Sequence, residues 1–195
     1  FSIYKFRSYE QDIEYGIRQL VDIAVKAISP AVNDPTTCVN CIHYLGVILK
    51  ELAVKEDRSS MAAKLEAIGI KLKEPNFEQY LDDAFDQIYQ FGRRDHTIVR
   101  TLIGVLTEII SAVPDVTRSE TVVKEVREME LDFLTDEGRE SSFALAEHRN
   151  YVRKGLIRFY TVAGERFETF GNAQGSAELR KRAAELESSI ESPKE

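Results

Sequence analysis

With 195 residues, 43% of them hydrophobic and 30% charged, the chain has enough apolar material for one compact domain with its own core and is not of disordered composition. A formal charge of -7 argues against a general nucleic-acid binder, which carries a Lys/Arg excess to neutralise phosphates, so no nucleic-acid partner is expected. Two cysteines do not make a disulfide framework and favour a reducing compartment.

No run approaches the ~18 uninterrupted apolar residues of a membrane span, and no signal-peptide layout occurs, so this stretch is expected to be soluble. It begins at Phe1 without an initiator Met and is read as a piece of something longer.

Taken in order, the chain reads as helical. FSIYKFR alternates apolar and polar residues, which suits a short extended entry. Ser8 with Gln11 three residues on has the capping-box pattern, placing the start of the first helix near Tyr9. Ile13, Ile17, Leu20, Ala24 and Ile28 then recur at helical spacing. Val21, Ile23, Val25 and Ala27 widen that face until little is left for solvent. Pro30 stops the helix at Ser29, because the residue before a proline is pushed out of helical geometry.

Asp34 is the expected N-cap of the second helix, with Pro35 in its first position, where a missing N–H costs nothing. That helix runs to about Val54. Ser59 to Glu74 is ambiguous: Met61, Leu65, Ile68 and Leu72 fit a helix, whereas the alternation at 68–73 fits a strand. A helix loosening near Gly69 is preferred.

Asn76 with Gln79 predicts a capped helix over Phe77 to Phe91, ending at Gly92. Asp95 caps another, His96 to Val113, closed by Pro114. Ser119 is expected to open the next, and the seven acids between 120 and 137 read as its solvated face. The longest helix is expected from near Glu140 to Phe170. GNAQGS at 171–176 reads as a linker, followed by a peripheral or fraying helix. The domain reading is therefore a helical domain over 1–170 and a linker with a C-terminal tail over 171–195. Six or seven helices joined by short turns imply an all-α helical bundle.

Several clusters bear on chemistry. Cys38, Cys41 and His43 have CxxCxH spacing, but a structural zinc site needs about four ligands and His96 and His148 each stand without a neighbouring Cys or His in sequence, so core packing is the reading. Asp82, Asp83 and Asp86 offer carboxylates for a hard cation, although acids near a helix start are favoured by the dipole alone. Arg149, Arg153, Lys154 and Arg158 make a basic stretch read as a solvated face. No nucleophile-elbow, zincin, phosphate-loop or dinucleotide signature occurs, so no cofactor and no metal are expected.

The stretch from Gln11 to Thr37 is less easily dismissed. Glu14, Arg18, Asp22 and Lys26 form an i,i+4 ladder of alternating sign on a helix that reads as buried on most sides. Buried charges need partners, and Asn33, Asp34 and Thr37 are the nearest polar groups in sequence. Both a structural polar network and a ligand site remain open.

The pattern QDxxxGxRQLVDIAxxAxSPxxNDPTT in these residues resembles the signature of a family of bacterial predicted membrane proteins, the domain of unknown function numbered 2254. FEQYLDDAFDQI with its following FG resembles a second block of it. The similarity is good over roughly 6–113 and loose beyond. It picks out Arg7, Gln11, Asp12, Gly16, Arg18, Gln19, Asp22, Ser29, Pro30, Asn33, Asp34, Pro35 and Thr37. It implies a region C-terminal to transmembrane helices that are absent here, no established activity, and an inner-membrane location; the free thiols, not the resemblance, give the expectation that this part faces the cytoplasm.

The expected role is a binding, regulatory or assembly module. An enzyme acting on a small polar or anionic substrate through Arg18, Asp22, Asn33 and Asp34 is the rival from another class. A homo-oligomerisation domain using the apolar faces of the fifth and seventh helices is a third.

Overall fold

The computed structural model describes residues 12–55, 69, 75–136 and 145–190. Among them are seven helices and no strand: α1 (Ile13–Ala27), α2 (Pro35–Val54), α3 (Phe77–Gly92), α4 (His96–Ala112), α5 (Val116–Asp136), α6 (Ala146–Thr169) and α7 (Ala173–Ser188). The fold is an all-α bundle. Apart from Gly69, the 59–74 segment with its helix and strand alternatives falls outside the described residues, as do the extended entry and the Ser8 cap.

Local chemistry sets most boundaries. Asp34 caps α2 and Pro35 opens it. Asn76 and Gln79 form a reciprocal capping box at α3, and Asp95 caps α4 through the amides of Thr97 and Ile98. Each satisfies amide groups that the first turn leaves without an intrahelical partner.

The register of contacts gives the topology. Gly46 lies against Val105 and Lys50 reaches Glu108 at 3.4 Å, so α2 and α4 run in the same direction. His96 stacks on His148, and Arg166 Nη2 donates to the Val113 carbonyl at 2.6 Å, so α6 runs with them. On the other side Glu78 pairs with Lys124 at 2.9 Å and Arg93 with Asp132 at 3.3 Å, aligning α3 with α5. Arg127 meets Glu178 at 2.5 Å and Glu130 meets Arg182 at 2.8 Å, aligning α7 with both. The even-numbered helices thus form one layer and the odd-numbered ones an antiparallel second layer, as successive hairpins stacked side by side.

Helix α4 is central. It packs on α2 and α6 within its layer and on α3 and α5 across it, and Ile98, Leu102, Leu106, Ile109 and Ile110 are fully buried. Two crossings need glycine for lack of room. A Cβ on Gly46 would lie 2.4 Å from a Val105 methyl, and one on Gly175 would lie 2.5 Å from the Phe167 ring. Gly92 does not act as a left-handed cap; Ile98 and Ile28 occupy the space where its side chain would be.

Several expectations are corrected. Helix α1 begins at Ile13, because Asp12 is extended and itself accepts from the Tyr15 amide at 3.1 Å. Its buried stripe is narrow, Ile17, Val21, Ala24 and Ala27, and Ile23 is 49% exposed, so the helix is not buried on most sides. Helix α5 begins at Val116: Asp115 accepts from the Arg118 amide at 2.8 Å, while Ser119 is buried and donates back to the Asp115 carbonyl.

The acidic face of α5 is not uniformly solvated. Glu130 is buried, accepting from Tyr160 Oη at 2.5 Å and Arg182 Nε at 2.9 Å. The first described turn of α6 is at Ala146, and 140–144 lie outside the described residues. The 171–176 segment is not a linker throughout: Gly171 turns at φ +77°, Asn172 caps, and α7 follows at Ala173. Leu179, Ala183 and Leu186 bury α7 against the bundle. The apolar faces of the predicted fifth and seventh helices, α4 and α6 here, are spent in the core.

Candidate functional site

The α1–α2 junction is built around one residue. The Asp34 amide donates to the Ala27 carbonyl at 2.8 Å, satisfying an acceptor at the end of α1. Its carboxylate accepts from the Thr37 amide at 3.1 Å and the Thr37 hydroxyl at 2.5 Å, closing the start of α2. Asp34 therefore terminates one helix and initiates the next. Those bonds from Thr37, the hydroxyl's first, hold its carboxyl below the ordinary range.

Asn33 makes the reversal possible. It sits at φ +52°, a left-handed conformation that Asn tolerates better than most side chains, and its amide donates to the Ser29 carbonyl at 2.9 Å. Ser29 Oγ donates to the Lys26 carbonyl at 2.7 Å. Pro30, Ala31, Val32 and Asn33 are exposed at the tip.

Midway along α1, Arg18 pairs with Asp22 and donates from Nη1 to Gln87 Oε1 on α3 at 2.8 Å. Arg18 and Asp22 side chains are 52% and 50% exposed. The charges are therefore solvated on one side, and the network is a bridge between two helices instead of a buried cluster.

The proposed set divides into three places. Asp12 caps the start of α1. Arg18, with exposed Gln19 and Asp22, occupies the middle. Asn33, Asp34 and Thr37 form the turn. At 1.5 Å of rise per residue, Arg18 is roughly 14 Å along the axis from the end of α1, and each group has its own partners. The four residues of the enzyme reading share no hydrogen bond across these places. Arg7 and Gln11 lie outside the described residues.

The sequence did not point to Gln87, although it stands in the FEQYLDDAFDQI block. The Arg18–Gln87 bond is what joins the two blocks in space, where α1 packs on α3.

Other chemistry-bearing residues fall elsewhere. Cys38 and Cys41 are buried while His43 is exposed, so the three do not converge. Burial, followed by neighbouring Cys41 and Asp95, pushes the Cys38 thiol up to about 12. Burial also raises Cys41. His96 and His148 stack with centroids 3.7 Å apart, beside Arg100 and Tyr151. Burial and then His148 lower the pKa of His96.

Asp82 and Asp86 lie near Glu125 at the α3–α5 seam. Burial foremost, then Asp82, Glu128 and Asp86, raises Glu125 to about 7, partly opposed by Lys124. Among the described residues no group of three or more His, Cys, Asp or Glu has the geometry to hold a metal ion.

A groove of about 600 Å³ lies between α5 and α7, lined in part by Lys124, Arg127, Leu131, Phe167 and Glu178. It is remote in sequence from the α1–α2 junction, so the motif and the groove are separate features.

Helix α2 has the length and apolar composition to cross a membrane. One side of it nevertheless packs on protein, with Cys38, Ile42, Leu45, Leu49 and Ala53 in the core, a pattern shared by core helices of large domains.

Comparison with known proteins agrees with the joined blocks. The uncharacterized proteins Mb1321c of Mycobacterium bovis and Rv1290c of Mycobacterium tuberculosis are each 32% identical over 127 residues, covering 62% of this chain and 23% of the relative. The chain thus matches about a quarter of the length of these relatives. No solved structure matches significantly. The family model described as "Predicted membrane protein (DUF2254)" matches residues 1–108, which take in α1, the Asp34 junction, α2, α3 and most of α4, and the chain belongs to that family.

Proposed function

We propose that this chain is a cytoplasm-facing helical module of a bacterial inner-membrane protein and that it serves binding or assembly. The observation that carries this reading is the use made of the motif residues. Asp12, Arg18, Asn33, Asp34 and Thr37 cap, bridge and turn helices, work that fixes a shape to be presented to something else. A catalytic constellation would instead gather its groups within hydrogen-bond reach of one reacting atom. The membrane part of the reading is supported by the family and by relatives that extend well beyond the matched segment. Buried, weakly acidic thiols fit a reducing compartment, which favours the cytoplasmic side.

Fractionation of native cells with an antibody to this chain tests the reading. The expected result is antigen retained in membranes washed with alkaline carbonate, at a mass well above 22.2 kDa, with its epitope cut by protease only in inverted vesicles. Antigen in the soluble fraction near that mass would refute it. Cleavage in intact spheroplasts would refute the sidedness alone.

A further inference from the structure

Helix α2 carries the longest line of exposed apolar side chains on the described surface. Tyr44, Val47 and Val54 are 63%, 62% and 52% exposed, and exposed Asn40 and Glu51 stand in the same line. The opposite face is committed: Leu45 and Leu49 are fully buried, and Gly46 fits so closely on Val105 that α2 cannot roll to hide the stripe.

The spacing of the stripe is 3-4-3-4-3 through Thr37, Asn40, Tyr44, Val47, Glu51 and Val54. That is the a/d pattern by which one helix lies along another. The line is also nearly self-complementary. About a two-fold axis between Leu45 and Gly46, residue i meets residue 91 − i of an antiparallel copy. Tyr44 then covers the partner's Val47 at the centre. The Asn40 amide faces the partner's Glu51, and Thr37 meets the partner's Val54. The one charged residue of the seam is matched by its one amide, twice by symmetry.

We propose that this face of α2 is a self-association surface that pairs two copies of the chain, antiparallel, through Tyr44, Val47, Asn40 and Glu51. A lipid surface fits it less well, since Glu51 would be carried into hydrocarbon without a partner. A single pair of helices about 30 Å long lies at the small end of specific interfaces, about 1,000 Å² or less, so the contact is weak in solution. Tethering both copies to one membrane raises their effective concentration and completes the pairing. The proposal deepens the assembly-module reading and rests on it.

Sedimentation equilibrium of the 195-residue chain from micromolar to millimolar concentration tests it. The expected result is a monomer–dimer equilibrium in the micromolar range. Val47→Glu should weaken it at least ~10-fold, by placing a charge in each central layer, with helix content and melting temperature unchanged. Asn40→Lys should tighten it about threefold or more at low salt, and the gain should vanish at high salt. Copies with Asn40→Cys mixed with copies with Glu51→Cys should cross-link on oxidation, which reports the register.

A chain monomeric throughout overturns the proposal, as does a dimer indifferent to both Val47→Glu and Asn40→Lys. Binding of monomers to phosphatidylcholine–phosphatidylglycerol vesicles, lost in Val47→Glu, would reassign the face to lipid. A monomer that still fractionates with carbonate-washed membranes refutes self-association only; a soluble antigen refutes the module reading itself.

Discussion

Arg18 joins α1 to α3 while about half of its side chain remains in water, and that exposure fixes the size of its contribution. Exposed ion pairs add little, so Arg18→Ala is expected to lower unfolding stability by about 0.5–1 kcal/mol, measured by urea melts, with no collapse of the fold. The ladder of charges was legible in the sequence. Its burial was misread, because Ile13 and Ile23 look like core residues by spacing yet are exposed. Gln87 was not legible, since nothing local distinguishes it until α3 is laid on α1. The same holds for Glu130, whose burial depends on Tyr160 and Arg182 far along the chain. Cys38 and Cys41 were read as core residues, and both are buried. With both pKa values raised by burial, neither thiol should react rapidly with a disulfide reagent in the folded chain. Unfolding by urea should release two reactive thiols per chain, counted by absorbance. Fast labelling of the native protein would contradict their placement.

At the scale of elements, caps and crossings carry the argument. Asp34–Pro35, Asn76 with Gln79, and Asp95 could be read directly, because a cap is satisfied within three residues of itself. The start of α5 was misplaced because Asp115 and Ser119 are both acceptable caps and tertiary burial takes the serine. The α2–α4 crossing depends on Gly46. Gly46→Ala is expected to cost about 1–3 kcal/mol by calorimetry or urea melts, because a β-branched neighbour on a rigid helix has little room to yield. The α3–α5 seam gives a pH dependence. Glu125, raised from 4.5 to about 7 by burial and by Asp82, Glu128 and Asp86, binds its proton more tightly in the folded state. Its stabilising contribution is full below about 4.5 and is lost as pH rises through about 7. His96, lowered by burial and His148, acts oppositely, destabilising the fold as pH falls below its unfolded value. The two are separated by substitution: the melting temperature of Glu125→Gln should lack the decline between about pH 5 and 7 that the wild type shows.

For the whole molecule, the alternation of helix direction follows from reversal at each described turn, and the two layers follow from that alternation. The all-α class was legible because apolar periodicity and caps agree along most of the chain. The order of helices within the layers was not, since it is set by close contacts such as Gly46 on Val105 and Gly175 on Phe167. The C-terminal helix was underestimated for a related reason: Leu179, Ala183 and Leu186 form a sparse stripe, yet Gly175 lets it approach α6 closely enough to bury them.

The central claim is that the family motif is an architectural joint. Urea unfolding of Asp34→Ala, beside Asp34→Ser, tests it most directly. The account predicts a clearly lowered midpoint for Asp34→Ala and partial recovery in Asp34→Ser, whose hydroxyl can still accept from the Thr37 amide. The difference from wild type should shrink under acid, because a carboxylate with a lowered pKa loses its contribution as pH falls through that value. An Asp34→Ala midpoint indistinguishable from wild type would contradict the joint and return Asp34 to the ligand-site reading.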